Sequence, residues 1–194
     1  VEALAAVHIG EPVRVVICGS LYLAGEVLTL NGGIDDPRRY GVPRWLPPAA
    51  EETSVFLCLG ANLGHRAKHM RSAINALRSC GRIHAISALY VTAPQHIVDQ
   101  PDFLNAACEM RTSLDPIELL CRLKYIERTL GRVNGSIRYG PRVIDIDIAL
   151  YGSLSIEVAD TPVGDLRVPH RLMLQRTFML KPLCDLAPHL THPA

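Results

Sequence analysis

Val143-Ile-Asp-Ile-Asp-Ile148 is the segment of this chain whose residue types and spacing most directly suggest chemistry. On a strand, successive side chains alternate between faces. Ile144, Ile146 and Ile148 then point into a core, and Asp145 and Asp147 share the opposite face, roughly 7 Å apart. Two neighbouring carboxylates repel unless a cation relieves them. A hard divalent cation such as Mg²⁺ binds through one or two carboxylates completed by substrate phosphates. A half-exposed strand with solvated acids would show the same spacing.

Just upstream, Gly131-Arg132-Val-Asn-Gly-Ser-Ile-Arg138-Tyr139-Gly140-Pro141-Arg142 reads as a loop that delivers three arginines beside the acidic strand. Guanidinium groups match phosphate oxygens bidentately. Acids that hold metal and bases that hold phosphate are the two requirements of phosphoryl transfer. Taken alone, the loop also reads as a solvated basic surface. No G-x-x-x-x-G-K-[ST] string is present, so the chain is not a P-loop enzyme. Asp99-Gln-Pro-Asp-Phe-Leu-Asn105 puts Phe103 and Asn105 on one strand face. An aromatic plate beside an amide suits a heterocycle, one stacking and the other reading an edge, and it also suits ordinary strand packing. His170 follows Val168-Pro169, and Arg171 and Arg176 come next.

These residues need a scaffold. Ser54–Leu59 reads as a strand, Gly60–Gly64 as a turn, and 66–80 as a helix with Met70, Ile74 and Leu77 at helical spacing. Residues 83–92 and 103–112 are strand-like. Asp115-Pro116 opens a helix, with Asp as cap, Pro at the first helical position and Glu118 at the third. Ile117, Leu120, Leu123, Ile126 and Leu130 give that helix an apolar stripe. Val143–Leu150 is a further strand, and a last helix falls within 171–186. The order lacks a regular βαβ rhythm, which favours an α+β fold with a largely antiparallel sheet.

Composition narrows the classes. With 194 residues, 48% hydrophobic and 20% charged, the chain can bury a core without disulfides. A net charge of +1 argues against bulk nucleic-acid binding. No apolar run reaches the roughly 18 residues of a membrane span. The six cysteines form no C-x-x-C pair and read as reduced thiols of a cytoplasmic protein.

Taken together, the segments from about Val55 onward resemble 6-hydroxymethyl-7,8-dihydropterin pyrophosphokinase of folate biosynthesis. The strings that carry the resemblance are Leu59-Gly-Ala-Asn-Leu-Gly64, Thr92-Ala-Pro94, Asp99–Asn105, Ile126-Glu-Arg-Thr-Leu-Gly-Arg132, Tyr139-Gly-Pro-Arg-Val-Ile-Asp-Ile-Asp147, Val168-Pro-His170 and Phe178. The resemblance implies a ferredoxin-like α+β sandwich with helices on the faces of its sheet. It implies transfer of the β,γ-diphosphate of ATP to the pterin hydroxymethyl group, releasing AMP. Two Mg²⁺ ions would be held by Asp145 and Asp147, with Asp147 helping to remove the hydroxyl proton. Phe103 and Phe178 would stack on the pterin, Asn105 would hydrogen-bond it, and Thr92 and Gln95 would offer it backbone contacts. Arg132 and Arg142 would hold phosphates. Glu127, Arg138, His170 and Arg176 match nucleotide-contacting positions. The stretches 92–99 and 131–140 match loops that close over substrate.

Three residues depart from the family's pattern. Asn134 stands where a second loop arginine is usual, Tyr139 replaces a common Trp, and Arg171 follows His170 in place of Tyr or Pro. The first touches the rate more than the reaction. A rival from another class is an inactive pterin- or nucleotide-binding scaffold, which loss of either aspartate would favour. A second rival, a phosphotransferase with a non-pterin acceptor, has no use for the Asp99–Asn105 string.

Residues 13–33 resemble a different protein. Ile17-Cys-Gly-Ser-Leu-Tyr-Leu-Ala-Gly-Glu-Val27 looks like the closing strand and helix of dihydrofolate synthase/folylpolyglutamate synthase. The expected organisation is a remnant of that enzyme over 1–33, a proline-rich linker over 34–53, and the pyrophosphokinase domain over 54–194. The chain would then be a fragment of a fusion, or an associate of other folate-pathway enzymes.

Overall fold

The computed structural model describes residues 51–133 and 137–193. The expected remnant over 1–33, nearly all of the linker, and Asn134 lie outside the described residues.

Thr53–Ala61 forms β1, a central strand buried through most of its length. Arg66–Leu77 forms α1, with Met70, Ala73 and Leu77 on its buried stripe. Arg82–Ile86 and Tyr90–Thr92 form β2 and β3, Phe103–Thr112 forms β4, and Pro116–Thr129 forms α2. Asp145–Tyr151 forms β5, and Ile156–Thr161 and Gly164–Val168 form the β6–β7 hairpin. A 3₁₀ turn at Met173–Gln175 precedes α3, Thr177–Leu186.

The main sheet has the order β2-β4-β1-β5, and β3 pairs with β4 on the same edge as β2. The named pairings are antiparallel. This is the βαββαβ order of a ferredoxin-like fold, with its second strand split in two. The sequence pattern predicts one strand over 83–92. The split has a local cause: Ser87 pairs with Ala107 through its backbone N–H and also accepts the Ala107 N–H on its hydroxyl. That double contact occupies the edge of β4 between the segments paired with β2 and β3.

Two clusters sandwich the sheet. On one face, Leu57, Leu59, Cys108, Met110, Ile144, Ile146 and Ile148 pack with residues of α1 and α2. On the other, Phe56, Cys58, Ala107 and Ala149 pack with Met173, Met179 and Leu183. The three isoleucines around the acidic strand are therefore buried as the period-two pattern requires. Between Ile148 and Leu150 the β1–β5 register shifts by one residue, leaving Ala149 as the extra residue of a bulge.

The hairpin β6–β7 was not evident in the sequence. Its inward residues Ile156, Val158, Leu166 and Val168 are interrupted by charged and turn residues, so no run reaches strand length. The last helix is also interrupted. Arg176 has extended backbone angles between the 3₁₀ turn and α3. No helix among the described residues is long and apolar enough to cross a membrane.

The Asp115 cap is formed as its sequence predicts. One carboxylate oxygen accepts the N–H of Ile117 at 2.9 Å and of Glu118 at 2.8 Å. Replacing a helix cap of this kind costs about 1 kcal/mol. Asp115→Ala is expected to lower the urea unfolding free energy by about that amount, with an unchanged denaturant slope.

Candidate functional site

The two rows of residues that cross the centre of the sheet define the site. In one, Asn105 of β4, Gly60 of β1 and Asp145 of β5 are direct neighbours. In the next, Ala107, Cys58 and Asp147 are neighbours. Residues opposite one another in antiparallel strands project to the same face, here the face covered by α3. Gly60 leaves the middle of the first row without a side chain. A Cβ built there would lie 3.0 Å from the Asn105 amide oxygen. The row thus carries an amide at one end, a carboxylate at the other and a bare floor between.

A cavity of about 390 Å³ opens over this floor. Thr92, Gln95, Phe103, Asn105 and Phe178 line one part of it. Arg132, Arg138, Arg142, Asp145, Asp147, His170 and Arg176 are among its other lining residues. Asn105 donates its amide N–H to the Thr92 hydroxyl at 2.8 Å, across the β3–β4 ladder. The Arg176 guanidinium lies 5.5 Å from the Phe178 ring centre, so an aromatic plate and a cation share the entrance to α3.

Asp145 is encircled by cations. Arg132 and Arg142 each donate to one of its oxygens, and the Lys124 ammonium is 3.9 Å away. Burial alone would push the Asp145 carboxyl up, but Lys124, Arg132 and Arg142 outweigh it and hold the group far below the usual carboxylate range. The Asp147 carboxylate, two residues on, makes no hydrogen bond or ion pair with a described residue.

Glu127, expected on the nucleotide, does not line the cavity. It is buried beneath it. One oxygen accepts from Lys124 Nζ at 2.8 Å and from the Ile146 backbone N–H at 2.7 Å, and the other accepts from Arg132 at 2.6 Å. Burial pushes its carboxyl above the ordinary value, against the pull of Lys124 and Arg132. Its role in this geometry is to hold two cations at the cavity floor and to fasten α2 to β5. Lys124 is a cavity residue that sequence reasoning missed. Burial alone would lower its ammonium, but Glu127, Asp147 and Asp145 leave it above its ordinary value. A signal was available: positions 117, 120, 124 and 127 form one helical stripe, and two of them are charged.

His170 hangs from the bulge. Its backbone N–H donates to the Ala149 carbonyl at 2.9 Å. Leu172 N–H donates to His170 Nδ1 at 3.2 Å, which leaves the ring proton on Nε2. Burial pulls this imidazole below its ordinary value; Asp147 opposes the shift and Arg176 reinforces it. A neutral ring with an Nε2–H donor faces the cavity as a result.

Asn62 was also missed. It is buried at the end of β1 and donates to the Gln100 side chain and the Pro101 carbonyl, each at 3.0 Å. It accepts the Arg142 N–H at 2.7 Å. One amide therefore fixes the Gly60–Gly64 turn to both cavity-lining segments. Cys58 lines the floor beside Asp147, but burial and that carboxylate raise its thiol far above the ordinary value, so it is inert. Among the described residues Cys58, Cys80, Cys108, Cys121 and Cys184 are free thiols.

No cluster of three His, Cys, Asp or Glu side chains able to hold a metal occurs among the described residues. The donors present, Asp145 and Asp147, are two hard carboxylates on one face. That set fits a divalent cation completed by phosphate oxygens and water better than an all-protein cage.

Fold and cavity together define a ferredoxin-like α+β domain that gathers arginines and a pair of aspartates around one pocket. Residues 56–188 match the family model described as 7,8-dihydro-6-hydroxymethylpterin-pyrophosphokinase (HPPK), and the chain belongs to that family. It is 45% identical over 136 residues to a mitochondrial folate synthesis bifunctional protein of Arabidopsis thaliana, covering 70% of this chain and 24% of that protein. It is 40% identical over 141 residues to the 2-amino-4-hydroxy-6-hydroxymethyldihydropteridine pyrophosphokinase of Pseudomonas aeruginosa, covering 72% and 83% respectively. The chain thus spans about a quarter of that bifunctional relative and most of the bacterial one. A crystal structure of wild-type HPPK-DHPS from Plasmodium falciparum superposes with a TM-score of 0.59 at 18% identity, over 73% of this chain and 39% of that one. At that identity the likeness bears on the fold alone.

A carboxyl held low in the folded state adds stability above its unfolded value near 3.9, and that stability is lost as pH falls toward the folded value. Asp145→Asn is expected to be less stable at neutral pH, because three cations lose their anion. It should also show a flatter fall in stability than the wild-type chain below about pH 4. Denaturant midpoints measured from pH 7 down to the acid limb read both effects.

Proposed function

We propose that residues 54–194 transfer the β,γ-diphosphate of ATP to the hydroxymethyl oxygen of 6-hydroxymethyl-7,8-dihydropterin, giving AMP and the pterin diphosphate. The observation that carries the reading is the row Asn105–Gly60–Asp145. It sets a heterocycle-reading amide and a phosphate-side carboxylate on one face, with clear floor between them.

Phe103 and Phe178 stack on the pterin, and Asn105, oriented by Thr92, reads its edge. Thr92 and Gln95 add backbone contacts. Arg132, Arg138, Arg142, Arg176 and the His170 Nε2–H face the triphosphate. Asp145 and Asp147 would hold Mg²⁺, two ions in this reading, which would supply positive charge against the phosphates and make the acceptor hydroxyl easier to deprotonate. Asp145 releases its arginines to the phosphates as those charges arrive. The pterin hydroxyl oxygen attacks the β-phosphorus, and the bond from that phosphorus to the α–β bridging oxygen breaks. Asp147, whose carboxylate has open lone pairs, takes the hydroxyl proton. Arg132 and Arg142 offset the charge that collects on departing AMP.

The reading includes work in the cytoplasm, with neighbouring folate-pathway enzymes as fused or associated partners. The bifunctional names of the relatives support the partners, and free thiols among the described residues support a reducing compartment.

The chain incubated with Mg-ATP and the hydroxymethyl pterin should release AMP only when the pterin is present. ADP as the product would overturn the reaction. Phe103→Ala should raise the pterin dissociation constant about tenfold or more, the worth of one stacked ring. Asp147→Ala should lower kcat on the order of a hundredfold or more. Unchanged pterin affinity in Phe103→Ala would sink the stacking role.

A further inference from the structure

We propose that His96 is a positioning residue that couples the pterin side of the cavity to the nucleotide side; the proposal rests on the functional reading above. The His96 and Tyr139 rings stack with centroids 4.1 Å apart and planes at 29°. The Arg138 guanidinium lies 5.0 Å from the centre of the same Tyr139 ring. His96 directly follows Gln95, on the segment assigned to the pterin. Tyr139 directly follows Arg138, on the segment assigned to phosphate. His96, Arg138 and Tyr139 all line the cavity.

Both ring-bearing residues have left-handed backbones, with φ of 68° at His96 and 63° at Tyr139. Side chains other than glycine adopt that region at a cost and hold it where their surroundings over-determine it. His96 is exposed, so no core packing supplies that support. The ring contact does, together with Gln100. Gln100 Nε2 donates to the Tyr139 carbonyl at 2.9 Å and to the Ile97 carbonyl at 2.7 Å. One amide and one ring pair thus join two segments that are some forty residues apart in sequence.

The coupling follows from competition for the Arg138 guanidinium. An arriving phosphate offers it a stronger partner than an aromatic face. Arg138 then turns from the Tyr139 ring to the phosphate, and the contact that the ring already makes with His96 carries this change to the Gln95 segment, which meets the pterin. Because coupling free energy is reciprocal, nucleotide raises pterin affinity by the same factor as pterin raises nucleotide affinity.

The test measures pterin dissociation constants with and without α,β-methylene ATP, whose bridging carbon prevents transfer. The ratio of the two constants is the coupling factor. His96→Asn removes the ring while tolerating the left-handed backbone; it should shrink the ratio about threefold to tenfold, as expected for one aromatic pair. His96→Phe should keep the ratio within about twofold of wild type. Tyr139→Leu should shrink it as His96→Asn does, and the double variant should shrink it no further. A wild-type ratio of one, an unchanged ratio in His96→Asn, or independent losses in the double variant would each overturn the coupling while leaving the functional reading intact. Absence of pterin binding in the wild-type chain would overturn both.

Discussion

The site depends on the two-residue period of β5. One face of that strand must be buried against α2, and Ile144, Ile146 and Ile148 meet the demand. The intervening aspartates then have a single direction left. They project onto the opposite face, beside Gly60 and Cys58 of β1 and in line with Asn105 of β4. Hydrophobic burial on one side of the sheet thereby aims the acids on the other side without any interaction specific to them. A register slip of one residue would exchange the two faces and bury both carboxylates in the core.

Charge is organised in layers around that floor. Glu127 lies lowest, buried and tied to Lys124, Arg132 and the Ile146 amide. Lys124 and Arg132 join Arg142 around Asp145. The outer arginines, Arg138 and Arg176, rest on aromatic rings. The inner charges are held by opposite charges, and the outer arginines by ring faces. The cavity's cationic side chains are therefore each held by a partner within the chain.

What the sequence showed, and what it hid, follow from the range of the interactions involved. The faces of β4 and β5, the Asp115 cap and the grouping of Phe103 with Asn105 are written in local periodicity, and the structure displays them. The split of β2 from β3 is not, because it arises from the contact of Ser87 with Ala107, twenty residues away. Hairpin β6–β7 has too few consecutive apolar residues to show a period. The contacts that bury Glu127 are not legible in its own helix, because Arg132 and the Ile146 amide reach it from other segments. Asn62 is a short polar side chain in a glycine turn, and nothing local indicates that it clamps segments from both sides of the cavity.

The bulge at Ala149 makes β5 sensitive to length as well as to composition. It adds one residue to the strand without adding one to its partner, and its carbonyl is the hook for His170. Deleting a single residue there would leave a regular ladder and an intact apolar pattern, so by the usual standards of insertion and deletion tolerance the change would look mild. It would nevertheless remove the anchor of a cavity histidine that lies more than twenty positions downstream. A one-residue gap at this point in an alignment of relatives is thus a marker of a rebuilt cavity wall, not of a harmless difference in strand length.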